Sequence, residues 1–412
     1  MKINLKLALA FGLLAATGAT LVAAQGSQVT LKVFTLTAPD SIKELNAAFE
    51  KENPGIKLNF EIVPDPQYGT AINARLAGGD APDVFGGHAR QEMTIWQKAG
   101  YIEDLSGEPW VASLNAASKK LATIGGKVYQ FPVGGDGLGF MVNLDLLAKA
   151  NVKIPTTLPE LRLAMTRLKA ANIRPLVVGF KDSWSSLVWG SMIAANSIYR
   201  VNDDADADLI AGKTKFDSAA WRGVLKSMRD LQSFYDMKIA LGLGGYDEVK
   251  NEFLAGRVAF IPFGSWIIPE FKKSNPNLKF ALIPYPGNPT GTKPWASAIA
   301  NASVMVSATS KNKEAAKKYV AFLARPENYK KYASSANLIS SLKTVKSDLA
   351  DEMDPIVAAI AEGRSATFPF QSWPGETQTP WMEMLGKYFA DNMTESAALQ
   401  NFDKAFEVQR KK

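Results

Sequence analysis

The amino-terminal third of the sequence alternates between two hydrophobic periodicities, and this alternation constrains the fold more than any other feature. Apolar residues at every second position predict strands over residues 29–36 and 56–62. Apolar residues at helical spacing predict one helix from about Ile42 and a second that ends at Ala77, before a short strand at 83–85. A strand–helix–strand–helix–strand order is typical of a parallel sheet covered by helices, so the sequence predicts an α/β fold.

The same pattern continues in the middle of the chain, where a strand is predicted at 175–178. Helix starts are predicted where Ser41 precedes Glu44 and where Thr157 precedes Glu160. This three-residue spacing is typical of a capping box, in which the two side chains satisfy free backbone N–H groups at a helix start.

Three stretches rich in glycine or proline interrupt the strands and helices. Residues 134–137 and 242–245 lack the spacing of a phosphate-binding loop, so they are interpreted as turns or backbone crossings. Residues 284–294 are the best candidate for a connection that crosses between two lobes.

The first 24 residues have the three parts of a secretory signal peptide. Lys2 and Lys6 provide a basic start, an apolar run follows, and small residues precede a cleavage site after Ala24. The alternative is an uncleaved membrane anchor, for which the glycines in the run make a poor span. The chain has no cysteine, which excludes disulfides and lipid attachment, so we expect a free periplasmic protein.

Chain length and charge limit the possible classes further. Removal of the leader leaves roughly 390 residues, which at the usual domain size predicts two domains. The net charge of the full sequence is +7, and the positive residues are spread along the chain. Binding of nucleic acid needs clustered positive charge, so no nucleic-acid partner is expected.

Residues that perform common enzymatic chemistry are scarce. The chain has one histidine, His88, and no serine in the Gly-x-Ser-x-Gly turn that presents a hydrolase nucleophile. Zinc motifs that need two histidines or any cysteine are impossible. A glycosidase needs only two carboxylates and is not excluded. We expect a protein that is not an enzyme and that uses neither a metal nor a cofactor.

Nine tryptophans are the most distinctive part of the composition. For each one alone, a cap on the hydrophobic core is the simpler interpretation, but several fall in predicted turns. Aromatic faces stack on the C–H faces of sugars, while carboxylate, amide and guanidinium groups bind the hydroxyls. The group as a whole therefore indicates carbohydrate binding. The tryptophans in predicted turns are Trp184, Trp189, Trp266, Trp295, Trp373 and Trp381.

A series of segments in a fixed order resembles the extracellular solute-binding proteins of sugar importers, the family of maltose-binding protein. The segments are FT at 34–35, NPGI at 53–56, LAGGDAPDV at 76–84, GKVYQFP at 126–132, NLD at 143–145, PTTLPEL at 155–161, FLAGRVA at 253–259, GSW at 264–266 and SKNKEAA at 310–316. Two positions depart from the family's pattern. Thr35 stands where the family usually has Trp, and Val142 where it usually has Tyr, so one stacking ring is missing and the identity of the sugar is open.

The resemblance implies a type II periplasmic-binding-protein fold, with two α/β lobes, each a mostly parallel sheet flanked by helices, and a ligand cleft between them. It implies a signal peptide at 1–24, a first lobe at 25–136 plus 297–341, and a second lobe at 137–296 plus 342–412. It also implies a monomer that captures a mono- or oligosaccharide and delivers it to the membrane permease subunits of an ABC importer.

Carried over position by position, the resemblance gives thirteen candidate ligand-binding residues. Trp266 in the G-x-W turn is expected to be a stacking platform, and Asp136 a carboxylate that binds two hydroxyls, or else a turn residue between glycines. Trp381 is expected to stack on sugar, or else to be a core residue. His88 and Arg90 are expected at the mouth of the cleft, or as plain surface groups. The remaining candidates are Thr35 and Thr37 at the end of the first strand, Trp184, Ser185 and Trp189 in a second-lobe loop, Trp295 and Ser297 at a crossing, and Trp373.

Two alternatives stay open from the sequence. The same fold could bind another solute, such as a sugar alcohol, glycerol phosphate or a polyamine. A phosphate would require an arginine or a helix N-terminus in the cleft, for which Arg90 is the candidate. The other alternative is a secreted carbohydrate-active enzyme that uses an acidic residue such as Asp136.

Overall fold

The computed structural model describes residues 28–88, 91–300, 302–374 and 376–411. The predicted signal peptide and Arg90 lie outside the described residues. The strands, numbered in chain order, are β1 (Val29–Thr35), β2 (Ile56–Ile62), β3 (Val84–His88), β4 (Thr123–Ile124), β5 (Lys127–Val128), β6 (Phe131–Pro132), β7 (Gly135–Asn143), β8 (Arg174–Leu176), β9 (Val258–Gly264), β10 (Phe280–Ile283), β11 (Ala296–Ala300), β12 (Ala302–Val306) and β13 (Ser365–Thr367).

Helices surround these strands throughout the described part of the chain. They are α1 (Ile42–Glu52), α2 (Asp65–Gly78), α3 (Gln91–Lys98), α4 (Ala116–Ala122), α5 (Leu144–Lys149), α6 (Leu158–Ala170), α7 (Trp184–Ala194), α8 (Ala205–Ile210), α9 (Ala219–Arg229), α10 (Met237–Gly242), α11 (Asp247–Leu254), α12 (Ile268–Ser274), α13 (Lys313–Leu323), α14 (Pro326–Ser335), α15 (Asp354–Ala361), α16 (Gln378–Ala390) and α17 (Glu395–Arg410). Within the described ranges, none of these helices has the length and apolar character of a membrane span.

The smaller main sheet has the strand order β2-β1-β3-β12-β6. Its first three strands are parallel, as the alternating periodicities predicted, and β12 joins them in the opposite direction. Helix α1 packs on this sheet through Ile42, Leu45 and Phe49, and the Phe49 ring lies edge-on to Tyr319 of α13. The predicted α/β fold class is confirmed.

The larger sheet has the order β13-β11-β7-β9-β8, with β10 also paired to β7. It is mixed rather than mostly parallel, because β7 runs antiparallel to β9, β10 and β11. β7 runs in this direction because of the edge at which the chain enters the larger sheet. β7 starts at the edge of the sheet where β9 and β11 end, since Asp136 pairs with Ile299 and Leu138 with Gly264.

The chain passes between the two sheets after β6 and again between β11 and β12. At the first passage Gly134 has φ +139, and a Cβ there would lie 2.8 Å from Leu338 Cβ, so the two segments approach as only glycine allows. Residues 284–294 connect β10 to β11, and both belong to the larger sheet. The prediction that this stretch crosses between lobes is therefore wrong.

The two predicted capping boxes differ in the structure. Ser41 makes no side-chain cap, and its hydroxyl donates instead to the Lys331 carbonyl. Its N–H donates to the Ser335 hydroxyl, and the Glu44 carboxylate pairs with Lys331. Thr157 caps α6 as predicted, accepting the Glu160 N–H at 3.4 Å. The Glu160 carboxylate, however, accepts from the N–H and hydroxyl of the residue before Thr157. Partners distant in sequence therefore replace the pairing of Ser41 with Glu44, and Thr156 replaces the Thr157 N–H as the donor to Glu160.

Candidate functional site

Strand ends from both sheets meet where the chain passes between them. His88 at the end of β3 pairs with Ala302 at the start of β12, and β11 ends only two positions earlier, at Ala300. Asp136 near the start of β7 pairs with Ile299, so it lies at the same edge of the larger sheet. Ligands of open α/β sheets bind at such strand ends, which makes this junction the candidate site.

An aromatic wall borders the junction on the side of the larger sheet. We use "aromatic wall" for Trp184, Tyr246 and Trp266, which are all partly exposed. Trp266 follows directly from the end of β9, and its indole Nε1–H donates to the Tyr246 hydroxyl at 3.0 Å. Trp184, the first residue of α7, is edge-on to both rings, with centroid distances of 4.8 Å to Tyr246 and 5.7 Å to Trp266. The arrangement can offer ring faces to a ligand.

Closely packed glycines bring the loops of the aromatic wall together. The Asp182 carboxylate accepts the N–H of Gly245 at 2.8 Å and the N–H of Trp184 at 3.0 Å. A Cβ on Gly245 would lie 2.6 Å from that carboxylate oxygen, and one on Gly179 would lie 2.6 Å from the Leu243 carbonyl. The interpretation of residues 242–245 as a backbone crossing is therefore correct, and the crossing carries Tyr246.

Asp136 lies beneath the aromatic wall. It is 1 % exposed and accepts a hydrogen bond from the Ser265 hydroxyl at 2.7 Å. The same hydroxyl accepts the Gly137 N–H at 3.1 Å, so the start of β7 is tied to the turn that carries Trp266. Asp136 is a buried strand residue, not a turn residue, and in this conformation it supports the turn rather than facing solvent.

A polar wall faces the junction on the side of the smaller sheet. Thr35 and His88 are partly exposed and Thr37 is exposed. The Thr35 hydroxyl donates to the Thr37 carbonyl at 3.0 Å. Behind them the Tyr68 hydroxyl donates to the Gly86 carbonyl at 2.7 Å, which fixes the end of β3. The site thus has rings on one side and hydroxyl and imidazole groups on the other.

Four of the remaining candidates lie in the core of the larger sheet. Trp189 and Ser185 are 0 % exposed, and the Ser185 hydroxyl accepts the Gly179 N–H at 2.8 Å. Trp373 and Trp381 are each 2 % exposed and pack edge-on with centroids 5.8 Å apart, in a cluster with Phe216. Rings covered on all sides offer no face for stacking, so their placement favours the interpretation as core residues.

Trp295 and Ser297 lie across β7 from β9, since Ser297 pairs with Leu138, whose other partner is Gly264 of β9. Both stand at the start of β11, whose other end, Ala300, borders the junction. The Asn196 side chain holds the backbone of Trp295, accepting its N–H at 2.9 Å. Ser297 is 1 % exposed, and its hydroxyl has no hydrogen-bond partner among the described residues. The structure does not bring these two candidates to the aromatic wall.

Tyr246 was missed by the sequence analysis, although it is central to the site. Burial raises its pKa to about 12, so the hydroxyl keeps its proton at neutral pH and can donate while it accepts from Trp266. The one available signal was its position after Gly244 and Gly245, a glycine pair that indicates close backbone packing.

Two α/β sheets joined at their strand ends around this junction define a type II, two-lobed solute-binding fold. The chain belongs to the family of bacterial extracellular solute-binding proteins, whose model matches residues 35–330. It is 24% identical to the multiple sugar-binding protein of Streptococcus mutans serotype c over 351 residues, 82% of this chain and 80% of that protein.

Two further similarities extend over most of the chain. The melibiose/raffinose/stachyose-binding protein MelE of Bacillus subtilis is 24% identical over 338 residues, which cover 79% of this chain and 77% of that protein. A solved chitin oligosaccharide binding protein superposes with a TM-score of 0.81 at 20% identity, covering 94% of this chain and all of the other. The structural likeness confirms the fold predicted from the sequence.

Proposed function

We propose that this protein is the substrate-binding component of an ABC importer and captures a mono- or oligosaccharide at the junction of its two sheets. The aromatic wall carries this proposal, because partly exposed indoles at the strand ends suit the C–H faces of sugars. The names of the relatives support it, since they bind multiple sugars, melibiose, raffinose and stachyose. The sugar serves as cargo, and no turnover is proposed.

The two walls are expected to bind different parts of the sugar. A saccharide stacks on Trp266 while polar groups of the other wall, including Thr37 and His88, bind its hydroxyls. We propose two lobes that close by a hinge motion about the passages between the sheets, with the second passage placed between β11 and β12 rather than at Ser297, because β11 belongs to the larger sheet. The closed form would engage permease subunits from the periplasm, after removal of residues 1–24.

The proposal is tested by calorimetric titration with raffinose, stachyose, melibiose and chitin oligosaccharides. The wild type is expected to bind at least one of them, and Trp266→Ala to raise its Kd about 10- to 100-fold, which corresponds to about 1.4–2.8 kcal/mol of lost stacking and burial. Trp295→Ala is the control, because Trp295 is also partly exposed but stands immediately before β11, at the end of that strand away from the junction. Equal weakening by both variants, or binding of a different solute class in place of sugars, would contradict the proposal.

A further inference from the structure

We propose that the aromatic wall is assembled before the sugar arrives, and that Tyr246 and Asp182 are the positioning residues that hold it. Tyr246 acts through the indole of Trp266, and Asp182 acts through the backbone of Trp184 and Gly245. The inference rests on the proposed sugar-binding function and adds residues that need not touch the ligand.

Trp266 is held from two sides. A Cβ on Gly264 would lie 1.9 Å from the Trp266 ring, so the indole folds back over the backbone of its own strand. On the other side its Nε1–H donates to Tyr246 at 3.0 Å. A ring that contacts backbone on one side and is hydrogen-bonded at its edge has little freedom to rotate.

Tyr246 is itself fixed by its neighbours. Its ring is edge-on to Trp184 at 4.8 Å and tilted against Phe263 at 5.1 Å. The Lys250 ammonium lies 5.7 Å from the ring centroid and pairs with Glu270 at 3.0 Å. The hydroxyl that receives the Trp266 N–H therefore belongs to a ring packed on several sides.

One carboxylate joins the two loops that carry the rings. Asp182 precedes Trp184 by two residues and is far in sequence from Gly245, yet a single oxygen accepts the N–H of both. This bond sets the distance between α7 and the turn before Tyr246. Besides the ring contacts, the two loops are joined by a backbone hydrogen bond from the Lys181 N–H to the Leu243 carbonyl at 3.2 Å, but the Asp182 carboxylate is the side chain that joins them next to the rings.

A wall assembled in this way has a consequence for the ligand. Because the Trp266 N–H is bonded inside the protein, the indole offers its face rather than a hydrogen bond. The Trp184 and Trp266 planes cross at 78°, which leaves a corner. The corner suits a saccharide unit with an uninterrupted C–H face, and its rigidity reduces the entropy lost on binding.

The positional part is tested without ligand, by NMR of the indole N–H groups in 15N-labelled protein. Trp266→Phe identifies the Trp266 resonance by its disappearance. Tyr246→Phe is expected to shift this resonance and speed its exchange with water, because the acceptor is lost. Tyr235→Phe is the matched control, since it removes a buried hydroxyl that has no partner among the described residues. An unmoved Trp266 resonance in Tyr246→Phe overturns the inference.

The binding part uses titration with the tightest sugar of the panel above. Tyr246→Phe is expected to raise Kd about 3- to 10-fold, the effect of one hydrogen bond that orients a ring. In a Trp266→Phe background, which lacks the N–H, the same change is expected to have no further effect. Asp182→Ala is expected to weaken binding similarly, and Asp182→Asn, which keeps one carbonyl oxygen, to restore most of it.

The outcomes separate the two proposals. If the wild type binds no sugar of the panel, the proposed function fails, whatever the Trp266 resonance does. If the wild type binds but Tyr246→Phe weakens binding equally in both backgrounds, Tyr246 acts directly on the ligand and the positioning inference is overturned. Equal loss in Tyr235→Phe would indicate a general structural effect and would overturn it as well.

Discussion

Gly264 shows how a residue without a side chain determines the position of another side chain. Its φ of −121° is open to any residue, so the restriction is steric: an added Cβ would lie 1.9 Å from the Trp266 ring. The ring occupies the space that any other residue would need. The Trp266 indole therefore packs directly on the backbone of Gly264, and a side chain at position 264 would displace the indole.

We predict that Gly264→Ala weakens sugar binding about tenfold while it lowers stability only modestly, because the indole must move and the backbone need not. Kd from titration and the midpoint of urea unfolding measure the two effects. Gly223→Ala is the control, since a Cβ there meets nothing within 4 Å. Unchanged affinity in Gly264→Ala would show that the ring position is not set by this contact.

Asp104 is a residue at which pH should act on stability. Hydrogen bonds from the hydroxyl and N–H of Ser106, together with Lys127, lower the pKa of Asp104 from 3.8 to about 2. A lowered pKa means that the ionised group stabilises the folded state above about pH 4 and that this contribution is lost as pH falls toward 2. The carboxylate is 36% exposed, so we expect solvent screening to limit the contribution to about 1 kcal/mol.

The measurement compares urea unfolding of wild type and Asp104→Asn at about pH 6 and about pH 2. The wild type is expected to be more stable by about 1 kcal/mol at the higher pH and equal to the variant at the lower. A difference that stays constant over this range would contradict the assignment to the carboxylate.

At the residue scale the sequence distinguished Trp266 but could not rank the other tryptophans. The G-x-W turn identifies Trp266 because a strand end and a glycine stand beside it. Trp381 and Trp373 are also tryptophans in predicted turns. In the structure, however, they pack in a core cluster with residues from other elements, such as Phe402. Burial depends on those long-range contacts, which no local pattern contains.

The last two helices form an element pair whose function is packing. The Trp381 ring on α16 lies 4.9 Å from Phe402 on α17 and 5.6 Å from Trp221 on α9. We predict that Trp381→Ala destabilises the protein by about 3–5 kcal/mol through the cavity it leaves. Urea unfolding measures this loss.

The same variant distinguishes a core role from a ligand role for Trp381. Under conditions where it is folded, its Kd for sugar is expected to match that of the wild type. A large rise in Kd with little loss of stability would return Trp381 to the ligand site.

Elements with strong periodicity were predictable, and their ends and pairings were less so. Helix α1 and strand β2 have the expected bounds, because the spacing of their apolar residues indicates which side of each element is buried. The direction of β7 could not be predicted, since it depends on where the chain enters the larger sheet. The predicted capping box at Ser41 does not form, because its hydroxyl donates to the Lys331 carbonyl and its N–H to the Ser335 hydroxyl, both distant in sequence.

For the whole molecule we predict that sugar binding makes the protein more compact. The chain passes between the two sheets in short segments, and Gly135 at one of these passages is bridged to Ile339. Connections of this kind permit a hinge motion. Small-angle X-ray scattering is expected to show a smaller radius of gyration with saturating sugar than without it. Trp266→Ala at the same sugar concentration is the control and should show less compaction. Heat of binding with no change in radius would contradict the hinge.

The strand order of the smaller sheet also determines when that sheet can form. β1, β2 and β3 pair directly with one another, but β6 is joined to β3 through β12, so Ala302–Val306 must be present before the sheet can be completed. Contacts between such distant segments slow folding, because a long loop must close first. A growing chain therefore cannot complete the smaller sheet until residues 302–306 have been synthesised.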